Sequence, residues 1–229
     1  MYDTYVIPQQ KTGNPVELLQ DWTWIHYNWI YDPMEDWVKN HSKLWFEDWG
    51  DRPKRVCVQA GGAFGLYPRM LAEQFELVYT FEPIPDAFHC LVNNCQQDNI
   101  FKFNAALGDK PQLITFKVVP FCMPISHVEN SGVPQDAETS KLIQQMTIDS
   151  LALKHCDLIA LDVEGYELQV LKGAEQTIKQ HWPRIITEVN RDVDANPLMD
   201  WLKNLDYNIV TFSGMDIVWE HDYQQVYPW

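Results

Sequence analysis

The hydrophobic pattern of the first fifty residues is helical and aromatic. Large apolar side chains recur there at helical spacing, clearly at Trp22, Ile25, Trp29 and Ile30 and less regularly at Trp37, Leu44 and Trp45. Because Asp32-Pro33 interrupts the spacing, we predict two helices that break near it. Residues 1–50 are therefore predicted to be an aromatic-rich helical N-terminal extension or cap. Its rings either pack on the rest of the protein or line a ligand pocket.

From Arg55 onward, strand-like and helix-like segments alternate. The predicted helices are Leu66–Phe75, Asp86–Gln97, Glu167–Gln180 and Pro197–Leu205. The predicted strands are Val56–Ala60, Val78–Phe81, Phe101–Ala105, Ile114–Val119, Asp157–Val163 and Arg184–Val189, followed by a hairpin of Asn208–Phe212 and Asp216–Trp219. This alternation predicts a largely parallel, doubly wound α/β sheet over residues 51–229, with the hairpin as an antiparallel edge.

The longest predicted loop covers residues 120–146, which are polar and include three prolines. A loop of that length is usually functional or mobile, so we expect it to form part of a site. His127 lies within it. Because histidine titrates near neutral pH, His127 is a candidate base in a loop that closes over the site.

Composition and charge exclude several classes of protein. The formal net charge of -15 at pH 7 disfavours nucleic acid as a partner, because such a surface repels phosphate. No apolar stretch approaches the roughly 20 residues needed to span a bilayer, and the first residues show no secretory pattern, so no membrane partner is expected. The five cysteines contain no C-x-x-C pair. Reduced thiols and a cytoplasmic location are the simplest interpretation.

A glycine-containing turn follows the first strand of the alternating series. Gly61 and Gly62 allow a positive φ and the close approach of a ligand to bare backbone, and Gly65 lets the following helix pack tightly against the strand. Glu82 follows the second strand, about twenty residues later, where an acidic residue can accept hydrogen bonds from ribose hydroxyls. The glycine spacing does not match G-x-G-x-x-G, which argues against a dinucleotide. These features predict a nucleoside-containing ligand at the carboxyl edge of the sheet.

Six motifs occur in a fixed order between Val56 and Val189: QAGGAFG, FEPIPDAF, NAALGD, MTIDSL, LIALDVEGYELQVLKGA and IITEV. In these motifs the chain resembles the FkbM family of S-adenosylmethionine-dependent methyltransferases, and DVEGYELQVLKGA is the most specific of them. The resemblance implies a Rossmann-like, seven-stranded class I methyltransferase sheet that binds S-adenosylmethionine. The first fifty residues and the closing hairpin lie outside the resemblance.

The resemblance also implies which residues contact the cofactor. Gly61 and Gly65 would admit its amino-acid end, Glu82 would bind the ribose, and Asp162 would face the methionine portion and the acceptor. The full predicted cofactor-binding set is Gln59, Gly61, Gly62, Gly65, Glu82, Pro83, Ile84, Asn104, Ala105 and Asp162. Pro83 and Ile84 would lie against the adenine, which Asn104 and Ala105 would flank.

Gln59 departs from the family pattern, which usually has an aspartate at this position. An acidic residue there would help to hold the ammonium group of the cofactor. The amide oxygen of Gln59 can still accept a hydrogen bond, but without the strengthening effect of a charge. The substitution therefore raises a question about cofactor affinity, while the fold is expected to be unaffected.

Methyl transfer to a hydroxyl requires a base that accepts the proton of the acceptor. Asp162 and Glu188 each end a predicted strand, so they are the leading candidates, with His127 as a third. Glu164 and Glu167 are nearby; Glu167 begins a predicted helix, where it favourably meets the helix dipole. A magnesium ion is the other use for clustered carboxylates. Because no histidine pair at ligand spacing joins them, no metal is predicted.

The sequence thus predicts an S-adenosylmethionine-dependent methyltransferase, with O-methylation of a small molecule or a glycan taken from the family resemblance. The alternative is a catalytically weak cofactor-binding or interaction module on the same fold, suggested by Gln59 and the tryptophan-rich segment. A nicotinamide or nucleotide-sugar enzyme on a similar sheet is disfavoured by the glycine spacing and by the DVEGYE string. The pattern does not indicate an oligomeric state or identify the acceptor.

Overall fold

The computed structural model describes residues 32–118, 127–128, 139–188 and 193–222. Its helices are α1 (Asp32–His41), α2 (Leu66–Ala72), α3 (Pro85–Asn94), α4 (Glu167–Lys172), α5 (Glu175–His181) and α6 (Asn196–Lys203), with 3-10 turns at Ser42–Phe46 and Asp149–Leu151. Its strands are β1 (Val56–Ala60), β2 (Leu77–Phe81), β3 (Ile100–Phe103), β4 (Ala106–Leu107), β5 (Gln112–Val118), β6 (His127–Val128), β7 (Thr139–Met146), β8 (Leu158–Leu161), β9 (Arg184–Glu188), β10 (Tyr207–Ser213) and β11 (Asp216–His221). None of these helices could span a bilayer.

The main sheet has seven strands in the order β3-β2-β1-β8-β9-β11-β10. The first five pair in parallel, whereas β11 is antiparallel to both of its neighbours. The predicted seven-stranded α/β sheet is therefore confirmed. The hairpin differs from its prediction in one respect, because the antiparallel strand lies inside the sheet and β10 forms the edge. The run Ile217-Val218-Trp219 explains this, since it is buried on both faces of β11.

Helices cover both faces of the sheet, because successive strand residues point to opposite sides. Val58 and Ala60 of β1 belong to the apolar cluster that contains residues of α4, α5 and α6. Cys57 of the same strand belongs to the cluster formed with α1, the first 3-10 turn and α2. All three β1 side chains are almost completely buried. The alternation therefore places α1 and α2 on one face and the three later helices on the other.

The described part of the predicted N-terminal extension packs into the main core. Trp45 and Trp49 are each only 5% exposed and share an apolar cluster with Leu71 and Phe75. The guanidinium of Arg184, which begins β9, donates to the carbonyl of Trp45 at 2.7 Å. Helix α1 begins at Asp32, where the sequence predicts a break. The first predicted helix of this segment lies outside the described residues, and the domain boundary at residue 50 stays a prediction.

A second, four-stranded sheet lies beside the main one, in the order β4-β7-β5-β6. The prediction of an irregular loop over residues 120–146 is wrong for β7 and β6. Strand β7 forms there because its backbone pairs with β5 along its full length and its Ile143 side chain is buried opposite Ile114. Leu142, the next residue on the other side of the strand, is exposed, so only one face of this sheet is covered. Residues 119–126 and 129–138 lie outside the described part.

The helix predicted over Glu167–Gln180 is instead two helices, α4 and α5, separated at Gly173-Ala174. A Cβ atom on Gly173 would lie 1.9 Å from the carbonyl oxygen of Gly108, so this contact requires bare backbone. The carbonyl of Gly173 also accepts a hydrogen bond from the amide of Asp149 at 2.9 Å. These contacts with two other segments end the first helix. The spacing of apolar residues along the chain gives no sign of them.

Asp149 caps α5 across the fold. Its carboxylate accepts hydrogen bonds from the backbone N–H groups of Gln176 at 3.1 Å and Thr177 at 2.8 Å, and from the Thr177 hydroxyl at 2.7 Å. The structure uses it to bind a helix further along the chain, which joins the MTIDSL and LKGA motifs.

We expect Asp149→Ala to lower the free energy of unfolding by about 1–2 kcal/mol, because α5 loses its side-chain cap. Asp149→Asn is the matched control, since an asparagine oxygen caps a helix about as well. Urea denaturation followed by circular dichroism measures both. Equal stability of the alanine variant and the unmodified protein would show that the cap contributes nothing.

Candidate active site

A cleft opens at the carboxyl edge of the main sheet, beyond the ends of β1, β2 and β8, where ligands of open α/β sheets bind. It is lined by Ala60, Gly61, Ala63, Phe64, Phe81, Glu82, Pro83, Ile84, Ala87, Ala105, Ala106, Leu107, Phe116, Val128, Asp162, Val163, Glu164 and Tyr166. The walls are mostly apolar. Three carboxylates, those of Glu82, Asp162 and Glu164, are the charged groups among these lining residues.

The structure divides the predicted cofactor residues into two groups. Those that line the cleft are Gly61, Glu82, Pro83, Ile84, Ala105 and Asp162. The four others, Gln59, Gly62, Gly65 and Asn104, are not among its lining residues. All ten assignments to a cofactor remain predictions.

The glycine turn has an internal packing reason. Gly61 has a φ of +83°, and a Cβ atom on it would lie 1.9 Å from the carbonyl oxygen of Asp162. A Cβ on Gly62 would lie 2.6 Å from the Thr80 hydroxyl, and one on Gly65 would lie 2.4 Å from the sulfur of Cys95. The glycines are therefore required by the approach of β8, β2 and α3 to the turn, before any ligand is considered.

Gln59 is buried behind this turn and is 2% exposed. Its amide nitrogen donates to the carbonyls of Ala60 at 3.1 Å and Gly61 at 2.9 Å, while its amide oxygen accepts from the Thr80 hydroxyl at 2.6 Å. The side chain thus fixes the carbonyls of the turn and ties β1 to β2. An aspartate could not make the two donated hydrogen bonds, because a carboxylate is only an acceptor.

Glu82 places a carboxylate at the margin of the cleft while being only 5% exposed. Its two oxygens accept one hydrogen bond each, from the backbone N–H groups of Ala63 at 2.8 Å and Ile84 at 2.7 Å. Burial raises its pKa to about 7, against the opposing effect of these two donors. Each carboxylate oxygen can accept a further hydrogen bond, so the group can receive a diol.

The loop after β2 is held in place by Asn104. Its side-chain amide donates to the carbonyls of Glu82 at 2.9 Å and Pro83 at 3.2 Å. Asn104 therefore fixes the backbone that presents Glu82, Pro83 and Ile84 to the cleft. Ala105 follows it and is buried in the wall.

The second sheet supplies a wall that the sequence analysis missed. Leu107 of β4, Phe116 of β5 and Val128 of β6 line the cleft. Phe116 and Val128 lie opposite each other in the β5–β6 ladder and are each 6% exposed. His127 precedes Val128 in the same short strand, beside Lys117, and its role as a base remains a prediction. The alternation of apolar residues in β5 was the available signal, but it does not reveal what β5 faces.

Asp162, Glu164 and Glu188 form an acidic group at the end of β8 and β9. One carboxylate oxygen from each lies within 4.8 Å of the others. The surrounding protein desolvates Asp162, although it is exposed to the cleft, and its neighbours Glu188 and Glu164 add like charge, so its pKa is raised. Burial also raises the pKa of Glu188, whereas its hydrogen bond with Asp162 opposes this. Ionisation of Glu188 therefore raises the pKa of Asp162, so the two carboxyls titrate as a pair.

Glu167 serves the loop that carries this acidic group. Its carboxylate accepts hydrogen bonds from the backbone N–H groups of Gly165 at 3.2 Å and Val163 at 3.4 Å. Burial raises its pKa to about 7. The loop needs this support because Glu164 has a φ of +51°, a conformation that side chains with a Cβ disfavour. Glu167 thus holds the loop that follows Asp162.

Carboxylate oxygens are the ligands that Mg²⁺ prefers. Acidic groups of this kind are nevertheless common without an ion. The sequence prediction that the site needs no metal therefore stays a prediction.

The model of the methyltransferase FkbM domain matches residues 60–209, which is more than half of the chain. The chain belongs to the FkbM methyltransferase family. A solved structure of the methyltransferase FkbM from Methylobacillus flagellatus KT has a TM-score of 0.54 and 20% sequence identity, over 79% of this chain and 48% of that one. The chain therefore spans about half the length of that protein. This likeness confirms the Rossmann-like class I fold.

A second solved structure is the N-methyltransferase NodS from Bradyrhizobium japonicum WM9 in complex with S-adenosyl-L-homocysteine. It has a TM-score of 0.45 and 13% identity, over 91% of this chain and 97% of that one. No curated protein sequence matches the chain. The FkbM match leaves α1 and β11 outside its limits.

We expect Gln59→Asp to lower the free energy of unfolding by about 2 kcal/mol, because two donated hydrogen bonds are lost and a charge enters a buried place. Gln59→Asn is the matched control, since it shortens the side chain equally but stays neutral. Chemical denaturation near neutral pH measures the difference. A Gln59→Asp variant as stable as the unmodified protein would contradict the locking role assigned to the amide.

Proposed function

We propose that this FkbM-family protein transfers a methyl group from S-adenosylmethionine to a hydroxyl oxygen of a small-molecule or glycan acceptor. The observation that carries the proposal is the arrangement of two carboxylates along one apolar cleft. Glu82 lies beside the wall of the second sheet, and Asp162 lies beside the glycine turn. The family match supports methyl transfer in general, and the identity of cofactor and acceptor is the proposed part.

The residues of the cleft fit an S-adenosyl group. Glu82 offers two carboxylate oxygens to the ribose diol, and its fixed backbone donors orient them. Ile84, Phe116 and Val128 form an apolar wall next to Glu82 that suits a purine ring. Asp162 lies at the turn side of the cleft, where it can compensate the ammonium group. One of its carboxyl oxygens would accept a hydrogen bond from the ammonium group, the contact that the usual aspartate would make at the position of Gln59.

When bound, S-adenosylmethionine supplies a methyl group on a positively charged sulfur, which the acceptor oxygen takes as the carbon–sulfur bond breaks and its electron pair stays on sulfur. The protein has to align the acceptor and remove its proton. Asp162, which lines the cleft, and Glu188, which has a carboxylate oxygen within 4.8 Å of one of Asp162, are the candidates for this role. The apolar walls exclude water from the reacting groups.

Glu82→Ala is expected to weaken the binding of S-adenosylhomocysteine at least about tenfold, since the ribose loses both acceptors. Because burial holds the pKa of Glu82 at about 7, the ionised form is lost as the pH falls. Affinity of the unmodified protein should therefore decrease between about pH 8 and about pH 6. Glu82→Gln keeps the size but cannot titrate, so this pH dependence should disappear. Calorimetric titration measures all three proteins, and unchanged affinity of the alanine variant would contradict the ribose assignment.

Transfer of a labelled methyl group from S-adenosylmethionine to a panel of hydroxyl-bearing glycans and small molecules tests the reaction itself. We expect labelled product that requires the intact protein and is lost in Asp162→Asn, with Asp149→Asn as a control outside the cleft. Binding of S-adenosylhomocysteine without transfer to any acceptor would favour the alternative, a cofactor-binding or interaction module. Absence of binding would refute the methyltransferase and leave an interaction module.

A further inference from the structure

Three neighbouring strands of the main sheet present carboxylates in one row. Asp162 directly follows β8, Glu188 ends β9, and Asp216 begins the antiparallel β11. Asp216 pairs with Glu188, and the β8–β9 register brings Asp162 beside Glu188 on the other side. Like charges directly opposite each other destabilise a sheet, so this row needs compensation.

All three carboxylates belong to the same face of the sheet. Each lies two residues from a core side chain of the cluster that includes α1 and α2, namely Ala160, Ile186 and Val218. Because side chains two residues apart share a face, the row lies on the face of the sheet that α1 and α2 cover. The FkbM match covers neither α1 nor Asp216.

His41 and Trp45 supply the compensation at Asp216. The Nε2 atom of His41 lies 3.2 Å from Oδ2 of Asp216, and the indole N–H of Trp45 donates to the same oxygen at 2.8 Å. Asp216 raises the pKa of His41 through this contact and its negative charge, against the effect of burial. The imidazolium form is thus favoured beside the row.

The position of His41 is fixed on several sides. A Cβ atom on Gly214 would lie 2.9 Å from Cε1 of His41, so the ring lies against bare backbone of the β10–β11 turn. The hydroxyl of Ser213 donates to the backbone carbonyl of His41. The side chain of His41 is 25% exposed and that of Asp216 is 10% exposed. Because the ring is held by these contacts, the positive charge of His41 has a fixed position relative to Asp216.

Other titratable groups of the described residues lie around His41. Glu188 of β9 acts on His41 through its negative charge, and His41 in turn lowers the pKa of Glu188. The ring of Tyr67 in α2 stacks on that of Trp45, with 5.1 Å between the ring centroids. Burial raises the pKa of Tyr67, and the negative charges of all three carboxylates of the row raise it further. Lys39 of α1 pairs instead with Glu73. Among the described residues, the imidazolium of His41 is the cation that lowers the pKa of Glu188.

We propose that His41 is a positioning residue of the acceptor site, whose Asp216-held imidazolium selects Glu188 as the ionised member of the Asp162–Glu188 pair and so as the base. This rests on the proposed function. In the step it serves, the proton of the acceptor hydroxyl passes to Glu188 while the oxygen takes the methyl group. The carboxyl of Asp162 keeps its own proton and donates a hydrogen bond to Glu188, which orients the base.

The experiment compares the full-length protein with His41→Gln, His41→Lys and His155→Gln. Glutamine keeps a donor for Asp216 without a charge, lysine keeps the charge, and His155 is an exposed histidine before β8. The first readout is the titration of the Glu188 carboxyl by carbon-13 NMR, without cofactor or acceptor. The second is the pH profile of kcat for methyl transfer.

In His41→Gln we expect the Glu188 midpoint to rise by about one pH unit, at the low end of the effect of a nearby opposite charge. The acid limb of the pH profile of kcat should shift by the same amount, so that kcat at a given pH on that limb falls about tenfold. The KM for S-adenosylmethionine should stay unchanged. His155→Gln should match the unmodified protein, and His41→Lys should restore much of the midpoint.

The outcomes separate the inference from the proposed function. A Glu188 midpoint that does not move in His41→Gln overturns the inference, whether or not methyl transfer occurs. A moved midpoint without methyl transfer to any acceptor supports the electrostatic coupling and refutes the proposed function. A moved midpoint with an unchanged acid limb refutes Glu188 as the base. If His41→Gln does not fold, the Glu188 resonance of the unmodified protein must still shift as His41 titrates, and its failure to do so overturns the inference.

Discussion

The contact between Gly61 and the carbonyl of Asp162 is the constraint on which the site depends. The central strands β1 and β8 end at the same level, and no Cβ atom fits between them. The chain therefore leaves β1 in a glycine turn. That turn places the backbone of Ala63 against Glu82, at the end of the next strand. One close approach thus sets the relative positions of the two carboxylates at the cleft.

Polar side chains next to the cleft hold its backbone, while Glu82 and Asp162 line it. Gln59, Asn104 and Glu167 each hydrogen-bond to two backbone groups of a loop that forms the cleft. Gln59 and Glu167 are buried, and a buried polar group is costly unless it is satisfied, so their contacts make the loops specific in conformation. The neutral amide of Gln59 fits this role. It contributes to the shape of the turn, and Asp162 is the carboxyl that lines the cleft at that end.

The fold and part of the site could be predicted because their causes are local. Alternating apolar residues predict the strands, and the motif order identifies Gly61, Glu82 and Asp162 as residues of one cleft. The split of the helix at Gly173 and the β7 strand could not be predicted, because both depend on partners far away in the sequence, namely Gly108 and β5. Phe116 and Val128 were missed for the same reason.

The sequence by itself determined the α/β class, the family and the residues at the ends of the central strands, since periodicity and motifs are properties of short segments. Only the tertiary structure decided which of these residues reach the cleft and which support it from behind. It also decided that Asp162, Glu188 and Asp216 share one face and meet His41. Strand register and helix packing set such distances, and both arise from contacts between segments that are distant along the chain.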